Sequence, residues 1–195
     1  MNIDIVGNYA YIASYADNGL EIIDISDPTN PIHAGAITDS ASTLLNGAFG
    51  VAVSGDYAFV VSYNEHGVSV IDVSDPANPL HVTNFADTSL TALSRARDIE
   101  IVGNYAYITA SNDDGVEVLD ISDPTNPIHV GAIFDDALSL LDNPARIEIV
   151  GNYAYVASFG ENGLQIIDIS DPANPLHVSS LDDTSSTILG RAVDI

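Results

Sequence analysis

A short phrase returns every 48 residues along this chain. Val6-Gly7-Asn8-Tyr9-Ala10-Tyr11 recurs as Ser54-Gly55-Asp56-Tyr57-Ala58-Phe59, as Val102-Gly103-Asn104-Tyr105-Ala106-Tyr107 and as Val150-Gly151-Asn152-Tyr153-Ala154-Tyr155. Asp24, Asp72, Asp120 and Asp168 keep the same spacing, and so do Pro28, Pro76, Pro124 and Pro172. Self-similarity at such a period is the mark of repeat architectures, in which each unit buries its apolar face only against its neighbours. Four units, approximately 1–48, 49–96, 97–144 and 145–195, account for the whole chain as one repeat domain. A second order lies above the first. Units one and three share Ser-Asp-Pro-Thr-Asn-Pro-Ile-His, whereas units two and four share Ser-Asp-Pro-Ala-Asn-Pro-Leu-His, as expected if a two-unit block was duplicated.

Each unit reads as four short strands. In the third, Asp98–Val102 alternates at period two. Gly103-Asn104 places glycine first in a two-residue hairpin, which suits a type II′ turn. Tyr105–Ala110 is aromatic and β-branched. After the turn Asn112–Gly115 comes a third strand, Val116–Ile121. Asp123-Pro124-Thr125-Asn126-Pro127 must turn, because its prolines remove ladder donors. Ile128–Ile133 is the outermost strand, and Asp135–Leu141 in the following connector can cap one helical turn. The third strands are apolar on both pleat faces, as in Leu20, Ile22, Ile23 and Ile25. That pattern implies a sheet stacked on either side. The predicted fold is an all-β propeller of four 48-residue, four-stranded blades per chain.

Composition narrows the function. Against 28 Asp and Glu stand only four cations, Arg95, Arg97, Arg146 and Arg191, for a net charge of −24. Such a surface repels phosphate backbones and anionic lipid, so no nucleic-acid partner is expected. No apolar run approaches the roughly 20 residues that span a bilayer, so no membrane insertion is expected. Without Lys or Cys there is no Schiff-base lysine, thiol nucleophile, thiolate zinc site or disulfide. The first residues lack a basic region followed by a long apolar run, so no signal peptide is expected in this chain.

The repeat itself separates framework residues from candidate sites. Asp24, Asp72, Asp120 and Asp168 occur once per unit, which favours a role in the adjoining Ser-Asp-Pro turn over acid–base chemistry. His33, His81, His129 and His177 also recur singly and diverge on outer strands, which is not a zinc geometry. His66 is expected in a solvated turn. The arginines precede inner strands, so Arg95, Arg97, Asp98, Arg146, Arg191 and Asp194 are the central-channel candidates. They could pair with crowded acids or form a small anion site. Asp135, Asp136, Asp182 and Asp183 are the metal candidates, with calcium the cation that such oxygen ligands would take. Tyr15, Tyr63 and Phe159 align near one turn and offer either packing or a sugar-stacking rim.

The segments Leu20–Pro28, Val68–Pro76, Val116–Pro124 and Leu164–Pro172, with their Gly-Asn-Tyr-Ala-Tyr hairpins, resemble the LVIVD-repeat family over all four units. The resemblance implies propeller blades, usually in secreted or surface-exposed bacterial and archaeal proteins, and no shared catalytic residues. The connector between blades looks longer here than in compact members, which is where a function could be added.

Ile195 and Ile3 occupy equivalent positions, so the two termini share one strand of the repeat. The chain could close alone as a four-bladed ring, two chains could form an eight-bladed ring, or copies could add in an open series. The two-chain ring is favoured. The expected function is a non-enzymatic extracellular or cell-surface scaffold that binds itself, as homodimer ring or filament, or another surface protein. The alternative is a glycan- or calcium-binding module that uses the connector face.

Overall fold

The computed structural model describes residues 2–184 and Leu189. Four four-stranded antiparallel sheets follow one another along the chain, each in sequential strand order. Blade 1 holds β1 (Ile3–Val6), β2 (Tyr9–Ser14), β3 (Gly19–Asp24) and β4 (Ile32–Thr38). Blade 2 holds β5 (Ala48–Ser54), β6 (Tyr57–Ser62), β7 (Gly67–Asp72) and β8 (Leu80–Ala86). Blade 3 holds β9 (Ala96–Val102), β10 (Tyr105–Ala110), β11 (Gly115–Asp120) and β12 (Ile128–Phe134). Blade 4 holds β13 (Pro144–Val150), β14 (Tyr153–Ser158), β15 (Gly163–Asp168) and β16 (Leu176–Asp182). The sheets pack as propeller blades, as the repeat predicts. Gly7, Gly55, Gly103 and Gly151 sit at φ near +60° in the first hairpin, which a β-branched or bulky residue adopts only under strain.

Three apolar junctions hold the blades together. Tyr11, Leu20 and Ile22 of blade 1 pack on Ala58, Val60 and Ile71 of blade 2. Phe59, Val68 and Val70 of blade 2 pack on Ala106, Ile108 and Leu119 of blade 3. Tyr107, Val116 and Val118 of blade 3 pack on Ala154, Val156 and Ile167 of blade 4. None of these residues is more than 4% exposed. Their near-complete removal from water is the main favourable term, at about 25 cal/mol per Å² of apolar surface.

Two registers depart from simple alternation. In the fourth strands one residue is skipped between the partners of Ile22 and Ile23, and likewise at Val70/Ile71, Val118/Leu119 and Ile166/Ile167. In the innermost strands the skipped residues are Phe49, Arg97 and Ala145. A bulged residue is turned out of the ladder and its side chain re-aimed.

The connectors form turns where a helical turn was expected. Asp39 Oδ1 accepts Thr43 Oγ1 and the Leu45 N–H, Asp87 Oδ1 accepts Thr91 Oγ1 and the Leu93 N–H, and Asp135 Oδ1 accepts Ser139 Oγ and the Leu141 N–H. These carboxylates satisfy the donors that a helix would otherwise use, and the hydroxyl at the fourth position closes the loop early.

Polar side chains fasten each connector to its blade. The Leu44 N–H donates to Ser69 Oγ at 2.8 Å, the Ala92 N–H to Glu117 Oε2 at 2.9 Å and the Leu140 N–H to Gln165 Oε1 at 2.9 Å. All three acceptors lie at the centre of a third strand and are 0% exposed. The recurrent histidines hold them from the outer strand. His129 Nδ1 is 2.5 Å from Glu117 Oε1, Gln165 Nε2 is 2.7 Å from His177 Nδ1, and His81 reaches Ser69 through Asn84. A second latch joins consecutive blades. The Gly47 N–H donates to Asn18 Oδ1, the Arg95 N–H to His66 Nδ1 and the Asn143 N–H to Asp114 Oδ1. All six residues have φ between 51 and 71°. Glycine, asparagine and aspartate suit that region, and at His66 and Arg95 the latch offsets its strain.

His66 thus joins blade 2 to blade 3 instead of standing free in solvent. Changing it to Asn keeps both an acceptor and a side chain that tolerates positive φ, as Asn18 does, so the thermal midpoint should stay near that of the parent. Changing it to Val removes the acceptor and strains the backbone, at about 2 kcal/mol. The midpoint should then fall by roughly 4–8 °C in thermal melts. Equal melting of both variants would show that the latch contributes nothing.

Candidate functional site

Innermost strands of all four blades line a cavity of about 750 Å³. Alternate residues face it, and their chemistry differs from blade to blade. One level carries Asn2, Asp98 and Arg146, with Gly50 at the matching place in blade 2. The next carries Asp4, Ala52, Glu100 and Glu148. The fourfold repetition that governs the blades therefore breaks in the channel.

Asp98 organises the first level. Its Oδ1 accepts Asn2 Nδ2 at 2.8 Å and Arg146 Nη1 at 3.2 Å, while Oδ2 accepts the Ile147 N–H at 3.0 Å. Residues of three blades thus converge on one carboxylate that is only 4% exposed. Burial pushes its pKa up, and the Ile147 N–H and the Arg146 charge oppose that rise. At the next level Asp4 Oδ2 accepts the Val53 N–H at 2.7 Å, a second link from one blade to the next. Glu100 is half-buried and faces Glu148, Asp98 and Asp4. Desolvation, then those like charges, raise its pKa to about 7. The channel can therefore hold or release a proton near neutral pH, and above that pH it repels anions.

The arginines divide between two places. Arg146 lines the channel and pairs with Asp98. Arg95 and Arg97 do not line it. Bulging turns Arg97 out of β9 toward the connector face, where its guanidinium stands 5.7 Å from the centre of the Tyr63 ring and that of Arg95 stands 5.3 Å away. Tyr63 in turn meets Phe49 at 5.9 Å and Tyr15 at 6.1 Å. Among the described residues neither arginine forms an ion pair, and the buried Arg97 Nε has no hydrogen-bond partner. Arg191 and Asp194 lie outside the described residues.

The acidic pairs serve the connectors. Asp135 closes one connector turn, and Asp136 Oδ1 accepts the Leu138 and Ser139 N–H groups. Asp183 Oδ1 accepts the Leu189 N–H, and Asp182 ends β16. Among the described residues no three His, Asp or Glu side chains are grouped to hold a metal ion. Asp24, Asp72, Asp120 and Asp168 each accept the N–H of the serine two residues on, and those serine hydrogen bonds hold them below the usual carboxylate range.

Sequence reasoning named Asp98 and Arg146 for the channel but missed Asp4, Glu100 and Glu148. The signal was present: three acids and an alanine occupy one column of the repeat, on the channel-facing parity of the inner strand. The connector acceptors Ser69, Glu117 and Gln165 were likewise visible as polar residues inside otherwise apolar strands.

The LVIVD repeat model matches residues 1–39, 47–87, 94–135 and 144–183. No curated protein sequence matches the chain. Among solved structures, a functionally unknown protein from Desulfotomaculum acetoxidans is 17% identical at a TM-score of 0.70, over 93% of this chain and 56% of its own. The periplasmic gluconolactonase PpgL of Pseudomonas aeruginosa is 13% identical at 0.72, over 90% and 54%. BamB from Moraxella catarrhalis is 21% identical at 0.60, over 92% and 48%. The chain thus spans about half the length of these structures, and the likeness is one of fold.

Glu100 gives the channel a pH signature. Its folded pKa of about 7 exceeds the ordinary 4.5, so the folded state holds the proton more tightly than the unfolded chain. This group's contribution is most favourable below pH 4.5, declines as pH rises toward 7 and is constant above. Glu100→Gln should remove that decline. Thermal midpoints across this window should show the variant gaining on the parent as pH rises, and parallel curves would refute the assignment.

Proposed function

We propose, on the premise that this chain belongs to the LVIVD-repeat family, that it is a non-enzymatic β-propeller scaffold working outside the cell or on its surface, binding itself or another surface protein. One observation carries this reading. The chemistry-bearing residues that recur in every blade are spent on the framework: the Asp24 class on turns, the His33 class on outer-strand clamps and the Asp39 class on connectors. Asp98 is likewise closed by its own partners. Strong acidity and the absence of Lys and Cys agree with an exported protein.

A catalytic role would draw on Glu100, the channel carboxyl whose pKa suits proton transfer at neutral pH. The test is a screen of lactone and ester hydrolysis by the parent and by Glu100→Gln. Both should match buffer alone. Turnover by the parent that disappears in the variant would replace the scaffold reading with an enzymatic one.

The second reading, a glycan-binding connector face, is favoured by Tyr15, Phe49 and Tyr63 standing together beside two arginines that have no acid partner among the described residues. Aromatic rings stack on sugar faces, and the guanidiniums suit a carboxylated substituent. A glycan array probed with and without calcium tests it. Binding of acidic glycans that is lost in Tyr63→Ala and Arg97→Ala would establish this reading, and an array with no signal would remove it.

A further inference from the structure

The three internal junctions define what each blade face requires, and two faces lack it. The blade 4 counterparts of Tyr11, Leu20 and Ile22 are Tyr155, Leu164 and Ile166, all part-exposed. On the same face Val178 and Leu181 are 48% and 50% exposed. Blade 1 shows the complementary lack. Ile12 and Ile23 are part-exposed where Val60 and Ile71 are buried, and Ile3 is 51% exposed where Val51, Ile99 and Ile147 are at most 4%.

A polar acceptor is left over at the same place. Ser69, Glu117 and Gln165 each receive a connector N–H, whereas their blade 1 counterpart, Glu21, receives none among the described residues. Its side chain is 35% exposed and is met by His33, against 0% for Glu117. Beside it lies a groove of about 330 Å³ lined by Ile12, Ser14, Gly19, Glu21, Ile37 and Thr38. The matching glycines show what fills such a groove. Connector side chains approach each one: Leu44 at Gly67, Ala92 at Gly115 and Leu140 at Gly163. At Gly19 the nearest atoms belong to its own sheet.

We infer that the open face of blade 1, with its groove, receives blade 4 and the connector beginning at Asp183 of a second copy, head to tail. This deepens the self-assembly part of the scaffold reading and rests on it. That connector opens as the others do: the Leu189 N–H donates to Asp183 Oδ1 as Leu45, Leu93 and Leu141 donate to Asp39, Asp87 and Asp135. The partner is a second copy because the innermost strands pack in series, β1 on β5, β5 on β9 and β9 on β13, and the described residues form no fourth core from blade 4 back to blade 1. The four blades also overlay on 56%, 54% and 48% of three similar solved structures, each of which continues beyond the length matched here. Two chains joined this way close without an edge, by the same heterologous contact used twice.

Sedimentation across a range of concentrations tests this, at high salt so that repulsion between two chains of charge −24 is screened. The parent should sediment at twice the 20.5 kDa chain mass. Ile23→Asp on the blade 1 face and Ile166→Asp on the blade 4 face should each give single chains with unchanged circular dichroism. Leu181→Asp, at an exposed position, serves as the second blade 4 variant if Ile166→Asp misfolds. An equimolar mixture of blade 1 and blade 4 variants should regain a two-chain species, since each retains the face that the other lacks. A monomeric parent, variants that still pair, or a mixture that stays monomeric would each overturn the inference. None of these outcomes bears on the absence of hydrolysis, so the two readings fail separately.

Discussion

The centre of the third strand in blades 2, 3 and 4 carries a polar atom sealed from water, and much of the architecture follows from satisfying it. An unpaired buried acceptor costs about 1–3 kcal/mol, and more when it is charged. Glu117 therefore needs the Ala92 N–H and His129, and these two contacts fix a connector on one side of the sheet and an outer strand on the other. Burial raises the Glu117 pKa while both partners lower it. Ser69 and Gln165 meet the same need with uncharged groups, so the blades share a geometry but not a chemistry. The connector is consequently a layer of the blade and not a loose linker.

The spacing of glycines, aspartates and prolines made the blades legible. The predicted Tyr105–Ala110 strand has the observed limits, and its neighbours differ by a residue or two at their ends. What remained hidden had local physical causes. Period-two reading places Arg97 and Asp98 on opposite faces of a regular strand, but a bulge leaves Arg97 out of the ladder and sends it to the connector face. No composition rule announces a bulge, because its signal is a count of residues between two turns. The connector at Asp135–Leu141 has helix-capping residues, yet Ser139 and the Leu141 N–H take the Asp135 carboxylate and end the turn. His66 looked solvated because an imidazole replaces the asparagine or aspartate found at the same place in other blades.

Channel and framework obey different rules. Repetition is strict where side chains make turns and junctions, and it lapses where they face the axis. Among the described residues four carboxyls there, Asp4, Asp98, Glu100 and Glu148, share one guanidinium, that of Arg146. Charge at the axis is therefore managed unequally. Asp98 is paired, Asp4 is tied to a backbone N–H, and Glu100 is driven toward the neutral acid. Within a chain of net charge −24, that protonation relieves repulsion at the point where the blades crowd most closely.

The serial packing of the blades has a consequence for how the molecule breathes. Among the described residues each apolar core joins two neighbouring blades, so opening free energies add approximately along the chain as in a one-dimensional lattice. Blades 2 and 3 each contribute to two apolar cores, whereas blades 1 and 4 contribute to one. In a single chain cooperative unzipping therefore starts at the outer blades and moves inward, and the amides of β6, β7, β10 and β11 are the last to exchange with solvent. Without its flanking blades, the same sheet that is rigid in the middle of the series is a fraying end.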